Sequence, residues 1–224
     1  MKNLYIYIFF IAVSSMTAQT IMPLEQYSNG GEPDGIYFKD LNAILDDYTG
    51  TWRWTEGNKE LTVYLYKDEE VTFINPIRGT YQRDVVFGYY IYKEGGTVLI
   101  DTKPDLLSNM NNRDYVQKGG VGLMPKNNGY DLNDLPLLYF NDYSRQKCWD
   151  GGYSDFVSGD SGFWGFVSEN EAKIGLYTKG THFTNCNGGI NVVYPEFPSN
   201  SSITISRISN TAPPFRLSSY KFRQ

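Results

Sequence analysis

A chain of 224 residues with 20% charged and 41% hydrophobic side chains is globular, sized for one β-rich domain or two small ones, and not a disordered segment. Its net charge of -5, without any cluster of lysine or arginine, argues against nucleic acid and anionic lipid as partners. Aromatic residues make up 16%, led by 19 tyrosines, which favour strands and half-wet surfaces.

The N-terminus reads as a targeting peptide. Lys2 supplies the positive start, residues 4–13 form an apolar run, and Ser14, Ser15, Thr17 and Ala18 make a small-residue exit. Cleavage is expected after Ala18, with Met16 an imperfect fit at the minus-three position. The run is too short for a bilayer span, which needs about 20 residues, and no later segment looks transmembrane. The chain therefore divides into a signal peptide, residues 1–18, and a single β-rich domain, residues 19–224. Its destination is periplasm, outer surface or medium.

Residues 20–35 carry Pro and Gly and read as a lead into the domain. Residues 39–48 are expected to form one short helix, capped by Asp40, with Leu41, Ile44, Leu45 and Tyr48 on one face and Gly50 at its end. A strand follows over residues 52–55, a turn at Glu56, Gly57 and Asn58, and a strand over residues 60–67. In the latter, Leu61, Val63 and Leu65 point one way and Thr62, Tyr64 and Tyr66 the other. Residues 85–93 and 97–102 flank Glu94-Gly95-Gly96 as a hairpin. Residues 103–136 are looser, with one short strand at 115–117. Strands resume at 137–143, 162–167, 173–177, 191–194, 203–208 and 216–222. Many strands with short connections and one early helix favour a closed or nearly closed antiparallel barrel, or a sandwich.

The stretches Tyr37-Phe38-Lys39-Asp40-Leu41-Asn42, Leu45-Asp46-Asp47-Tyr48-Thr49-Gly50-Thr51-Trp52 and Phe87-Gly88-Tyr89-Tyr90-Ile91-Tyr92-Lys93-Glu94-Gly95-Gly96 resemble an uncharacterised family of exported Bacteroidota proteins, domain of unknown function family 6705. That resemblance implies export and a β fold, and transfers no catalytic residues. Gly50-Thr51-Trp52 after a short helix is also similar to the Gly-X-Trp opening of lipocalin-like barrels. This second resemblance implies an all-β fold: a lipocalin-like antiparallel β-barrel with one short N-terminal helix, plugged at its closed end by Trp52.

Cys148 and Cys186 are the two cysteines, and in an oxidising compartment such a pair is more often a disulfide than two thiols. The loop closed would be worth roughly 4 kcal/mol. Gly159-Asp160-Ser161-Gly162 looks like a serine-protease nucleophile motif, but the one histidine, His182, follows it and the order is wrong for that chemistry. A polar turn before a strand is the plainer reading. Asn127, Asn128, Asp131, Asn133 and Asp134 are oxygen-rich, yet their spacing does not fit an EF-hand. No catalytic residue, metal ligand or cofactor is assigned. The candidate ligand-binding residues are Trp52, Tyr89, Trp149 and Trp164, since aromatic walls suit small-ligand sites. The leading reading is a carrier of a small apolar or amphipathic ligand. The alternative is a non-enzymatic cell-envelope module that binds glycan or protein.

Overall fold

The computed structural model describes residues 19–27, 34–75, 79–109, 121–124, 137–140, 160–177 and 202–213. Within these residues the chain is almost entirely strand. The strands are β1 (Thr20–Pro23), β2 (Ile36–Lys39), β3 (Gly50–Glu56), β4 (Lys59–Asn75), β5 (Gly79–Glu94), β6 (Thr97–Asp101), β7 (Val121–Met124), β8 (Leu137–Phe140), β9 (Asp160–Ser168), β10 (Glu171–Tyr177) and β11 (Ser202–Ser209). A single α-helix, α1 (Lys103–Asn109), is described. The strands join one sheet in the order β1-β2-β5-β4-β3-β11-β10-β9-β8-β7, with β6 beside β5 and a further pairing of β7 with β5.

The long β4–β5 ribbon organises the rest. Leu61, Val63 and Leu65 stand opposite Tyr92, Tyr90 and Gly88. Leu61, Val63, Leu65, Tyr90 and Tyr92 form the main core together with Trp52, Trp164, Ile174 and Ile205. The opposite face of the ribbon carries a second cluster of Val85, Phe87, Tyr89 and Val71, roofed by Leu106 of α1. The alternation seen in the sequence is thus real: Tyr64 and Tyr66 pack on this second face, away from Trp52. Gly88 has no room for a side chain, because a Cβ there would lie 1.9 Å from the Tyr64 carbonyl oxygen.

Past Asp68 the ribbon carries a bulge. Asp68 pairs with Val85, but the next pair is Val71 with Arg83. Glu70 takes a left-handed φ of 59° within it. One extra residue reverses the alternation, so Val71 and Phe73 join the second cluster rather than the first.

Three sequence expectations change. The helix over residues 39–48 is instead β2, a turn and a 3-10 turn over Ile44–Tyr48, because Ala43 sits at φ 55° and interrupts any helix there. Asp40 still caps it, accepting the Ile44 and Leu45 N–H groups at 2.8 and 3.0 Å. Leu45 and Tyr48 are buried while Leu41 is 56% exposed, so the supposed apolar face is broken. Residues 20–39 supply two parallel-paired strands, β1 with β2 and β2 with β5, in place of an irregular lead. The expected antiparallel barrel with an N-terminal helix is therefore not supported; a mostly β, mostly antiparallel fold is what holds. Finally, Asp160, Ser161 and Gly162 are the first residues of β9, paired with β8, and not a turn. The hairpin is as expected, with Gly95 and Gly96 between β5 and β6 at positive φ. The strands expected at 115–117, 191–194 and 216–222 lie outside the described residues.

Candidate functional site

Trp52 lies at the centre of the best-built cluster. It emerges from the 3-10 turn through Gly50, whose φ of 118° and close approach to the Ser209 carbonyl oxygen admit no side chain without strain. The indole is fully buried. Its Nε1–H donates to the Tyr48 carbonyl oxygen at 3.0 Å, tying strand to turn. Trp164 of β9 meets it edge to face, with ring centroids 4.9 Å apart and planes at 86°. Tyr48 makes a second edge contact with Trp164 at 6.2 Å. Arg207, its register partner on β11, lays its guanidinium 4.5 Å from the Trp52 ring centroid. The same guanidinium donates to the Asp47 carbonyl oxygen. Four chain segments thus meet on one indole. Burial, with the nearby Asp47 carboxylate, pushes the Tyr48 hydroxyl up to about 12.

A buried polar network joins β2, β4 and β5. Asp84 is 1% exposed. Its carboxylate accepts from the Tyr37 hydroxyl at 2.6 Å and from the Asp40 and Glu70 N–H groups at 2.8 and 3.0 Å. Those donors satisfy a buried charge that would otherwise be costly. Burial raises the Tyr37 pKa, and the Asp84 hydrogen bond and charge raise it further. Lys67 bridges Asp40 and Asp46 at 2.9 and 2.8 Å. Burial alone would lower the Lys67 pKa, but the bonds to Asp46 and Asp40 outweigh it and raise it.

Of the four candidate ligand residues, the structure brings Trp52 and Trp164 together. Tyr89 is on the opposite face of β5, stacked 4.6 Å from Tyr64. Burial, as the largest cause, raises the Tyr66 and Tyr89 hydroxyls above the ordinary tyrosine value. Trp149, Cys148, Cys186 and His182 lie outside the described residues, as do residues 127–134. Sequence reading missed Arg207, Asp84 and Arg83. Asp84 and Arg83 precede the strand expected at residues 85–93 and are buried only because β5 starts earlier, at Gly79; Arg207 is brought to Trp52 only by the pairing of β11 with β3.

No helix among the described residues is long and apolar enough to cross a membrane. Fold and site together define an all-β protein built around a buried tryptophan. Residues 1–203 match the family described as Family of unknown function (DUF6705), and the chain belongs to that family. No curated protein and no solved structure matches it.

Proposed function

We propose that the mature chain is an exported, non-enzymatic binding protein whose strands wrap into a lipocalin-like barrel around a small apolar or amphipathic ligand. One observation carries the reading. β5 pairs with β4 along one edge and with β7 over residues 86–88 on the other, so pairings from β5 through β4, β3, β11, β10, β9, β8 and β7 lead back to β5. That run of pairings supports closure into a barrel, and small barrels of about eight strands hold one small ligand or fill with side chains. The Trp52 cluster corks the end nearest the 3-10 turn. At the other end lie the turns at Gly57 and Gly95–Gly96, with half-buried Trp54 between them and the cork, packed against the main core. Export rests on the N-terminal Lys2 and its apolar run.

The test is a fluorescence titration of the mature chain with cis-parinaric acid. Saturable enhancement, weakened about tenfold by Trp54→Ala, supports the reading; a tenfold loss corresponds to roughly 1.4 kcal/mol. A flat titration, with no lipid retained in native mass spectrometry, overturns it. A second reading, a glycan-binding surface module, draws on the row of half-exposed Tyr64 and Tyr66 beside Tyr89. Glycan-array binding abolished by Tyr64→Ala, with a flat parinaric titration, would favour it.

A further inference from the structure

Arg83 on β5 is 4% exposed, and its buried Nε has no hydrogen-bond acceptor among the described residues. A guanidinium stays charged at every pH a protein survives, so it cannot escape the cost of burial by losing its proton. Its neighbours explain how it is held without explaining what it is for. The Tyr27 ring centroid lies 4.7 Å from its guanidinium carbon and the Phe73 centroid 4.4 Å. Phe73 is stacked on Tyr81, and the Tyr27 and Tyr81 hydroxyls are 3.2 Å apart. The adjacent carboxylate, Asp84, is committed to Tyr37, Asp40 and Glu70. Arg207 is also ring-stacked and its Nε is likewise buried without an acceptor among the described residues, but its Nη2 donates to the Asp47 carbonyl oxygen.

Aromatic contact occupies the faces of the Arg83 guanidinium and leaves its edge, and Nε on that edge is buried and without an acceptor among the described residues. The edge is the part of arginine that engages a carboxylate or phosphate through paired hydrogen bonds. We propose that Arg83 is the anchor of a second binding site, which takes a ligand bearing a carboxylate or phosphate group, with Tyr27 and Phe73 as its walls. The site belongs to the β1-β2-β5-β4 end of the sheet, since β2 pairs with β5 at Gln82 and Arg83, beyond the three residues that pair with β7. It stands or falls independently of the barrel ligand.

Thermal unfolding of the mature chain in sodium phosphate, sodium acetate and sodium chloride at matched ionic strength tests this. Wild type should gain a saturable rise in Tm of roughly 5–10 °C at about a hundredfold excess of the preferred anion over its Kd. A rise in phosphate alone assigns a phosphoryl ligand; a rise in acetate alone assigns a carboxylate. Arg83→Met should abolish the rise. Should that variant fail to fold, Arg83→Lys keeps the charge and loses the planar fork, and its response should fall below half of wild type. Equal Tm for wild type in all three salts, or an undiminished rise in either variant, overturns the proposal.

Discussion

Trp52→Ala should be among the most damaging single changes available to this fold. Emptying a buried Trp or Phe position costs about 3–5 kcal/mol. Here the indole also donates to the Tyr48 carbonyl oxygen at 3.0 Å, a bond whose loss costs about 1 kcal/mol. The edge contact with Trp164 and the guanidinium of Arg207 add roughly 0.5–2 kcal/mol each. These terms overlap, so we expect about 4–6 kcal/mol in total, against a domain stability of about 5–15 kcal/mol. Trp52→Phe keeps a ring for Trp164 and Arg207 but leaves the Tyr48 carbonyl oxygen without its donor, at a cost of roughly 2 kcal/mol. Arg207→Met removes the cation and its bond to Asp47; the Trp52→Ala/Arg207→Met double mutant should show a coupling of about 1 kcal/mol. Urea unfolding followed by far-ultraviolet circular dichroism reads wild type and all four variants without relying on indole emission. A Trp52→Ala variant within about 1 kcal/mol of wild type would refute the view that this cluster holds β3, β9, β11 and the 3-10 turn together.

Gly50→Ala combines a positive φ with a Cβ 2.4 Å from the Ser209 carbonyl oxygen, so urea unfolding should show a loss of at least about 2 kcal/mol. Alkaline pH should destabilise the protein. The Tyr48 hydroxyl, raised from 10.0 to about 12, contributes stability that is complete below pH 10.0 and is lost as the pH climbs towards about 12. That contribution is about 2–3 kcal/mol, and Tyr48→Phe should flatten the stability curve across this window. Lys67, also raised, contributes below its unfolded value of 10.5 and loses that contribution above it, as the ammonium deprotonates. Lys67→Met should cost about 2 kcal/mol near neutral pH, because the buried Asp40 carboxylate loses its cation.

The parts of the fold legible in the sequence are those set by neighbours a few residues apart. The alternation of Leu61, Val63 and Leu65 with Tyr64 and Tyr66 placed the two faces of β4 correctly, because pleating makes that a local rule. Gly95 and Gly96 marked the hairpin for the same reason. The failures come from contacts made at a distance. Ile36–Lys39 became a strand because β5 and β1 supply its hydrogen bonds, and nothing in four residues announces a parallel partner. The bulge at Glu70 let β4 run on to Asn75, whereas Asp68-Glu69-Glu70 looks like an end to a strand. In the candidate site, Trp52 could be singled out from Gly50-Thr51-Trp52, but the arginine stacked on it comes from the far end of the chain. Tyr89 was grouped with the tryptophans on residue type alone, and one step of strand alternation puts it on the other side.

The account rests on the sheet returning to β5 through β7. Proton nuclear Overhauser contacts between the backbones of Phe87 and Gly122, register partners in that pairing, measure it most directly in the mature chain. Strong cross-strand contacts there, together with slow amide exchange of residues 86–88 on the β7 side, are the expected result. Fast exchange at those amides with no contact to residues 121–123 would mean an open sheet, and the proposed ligand would have no enclosed place to sit.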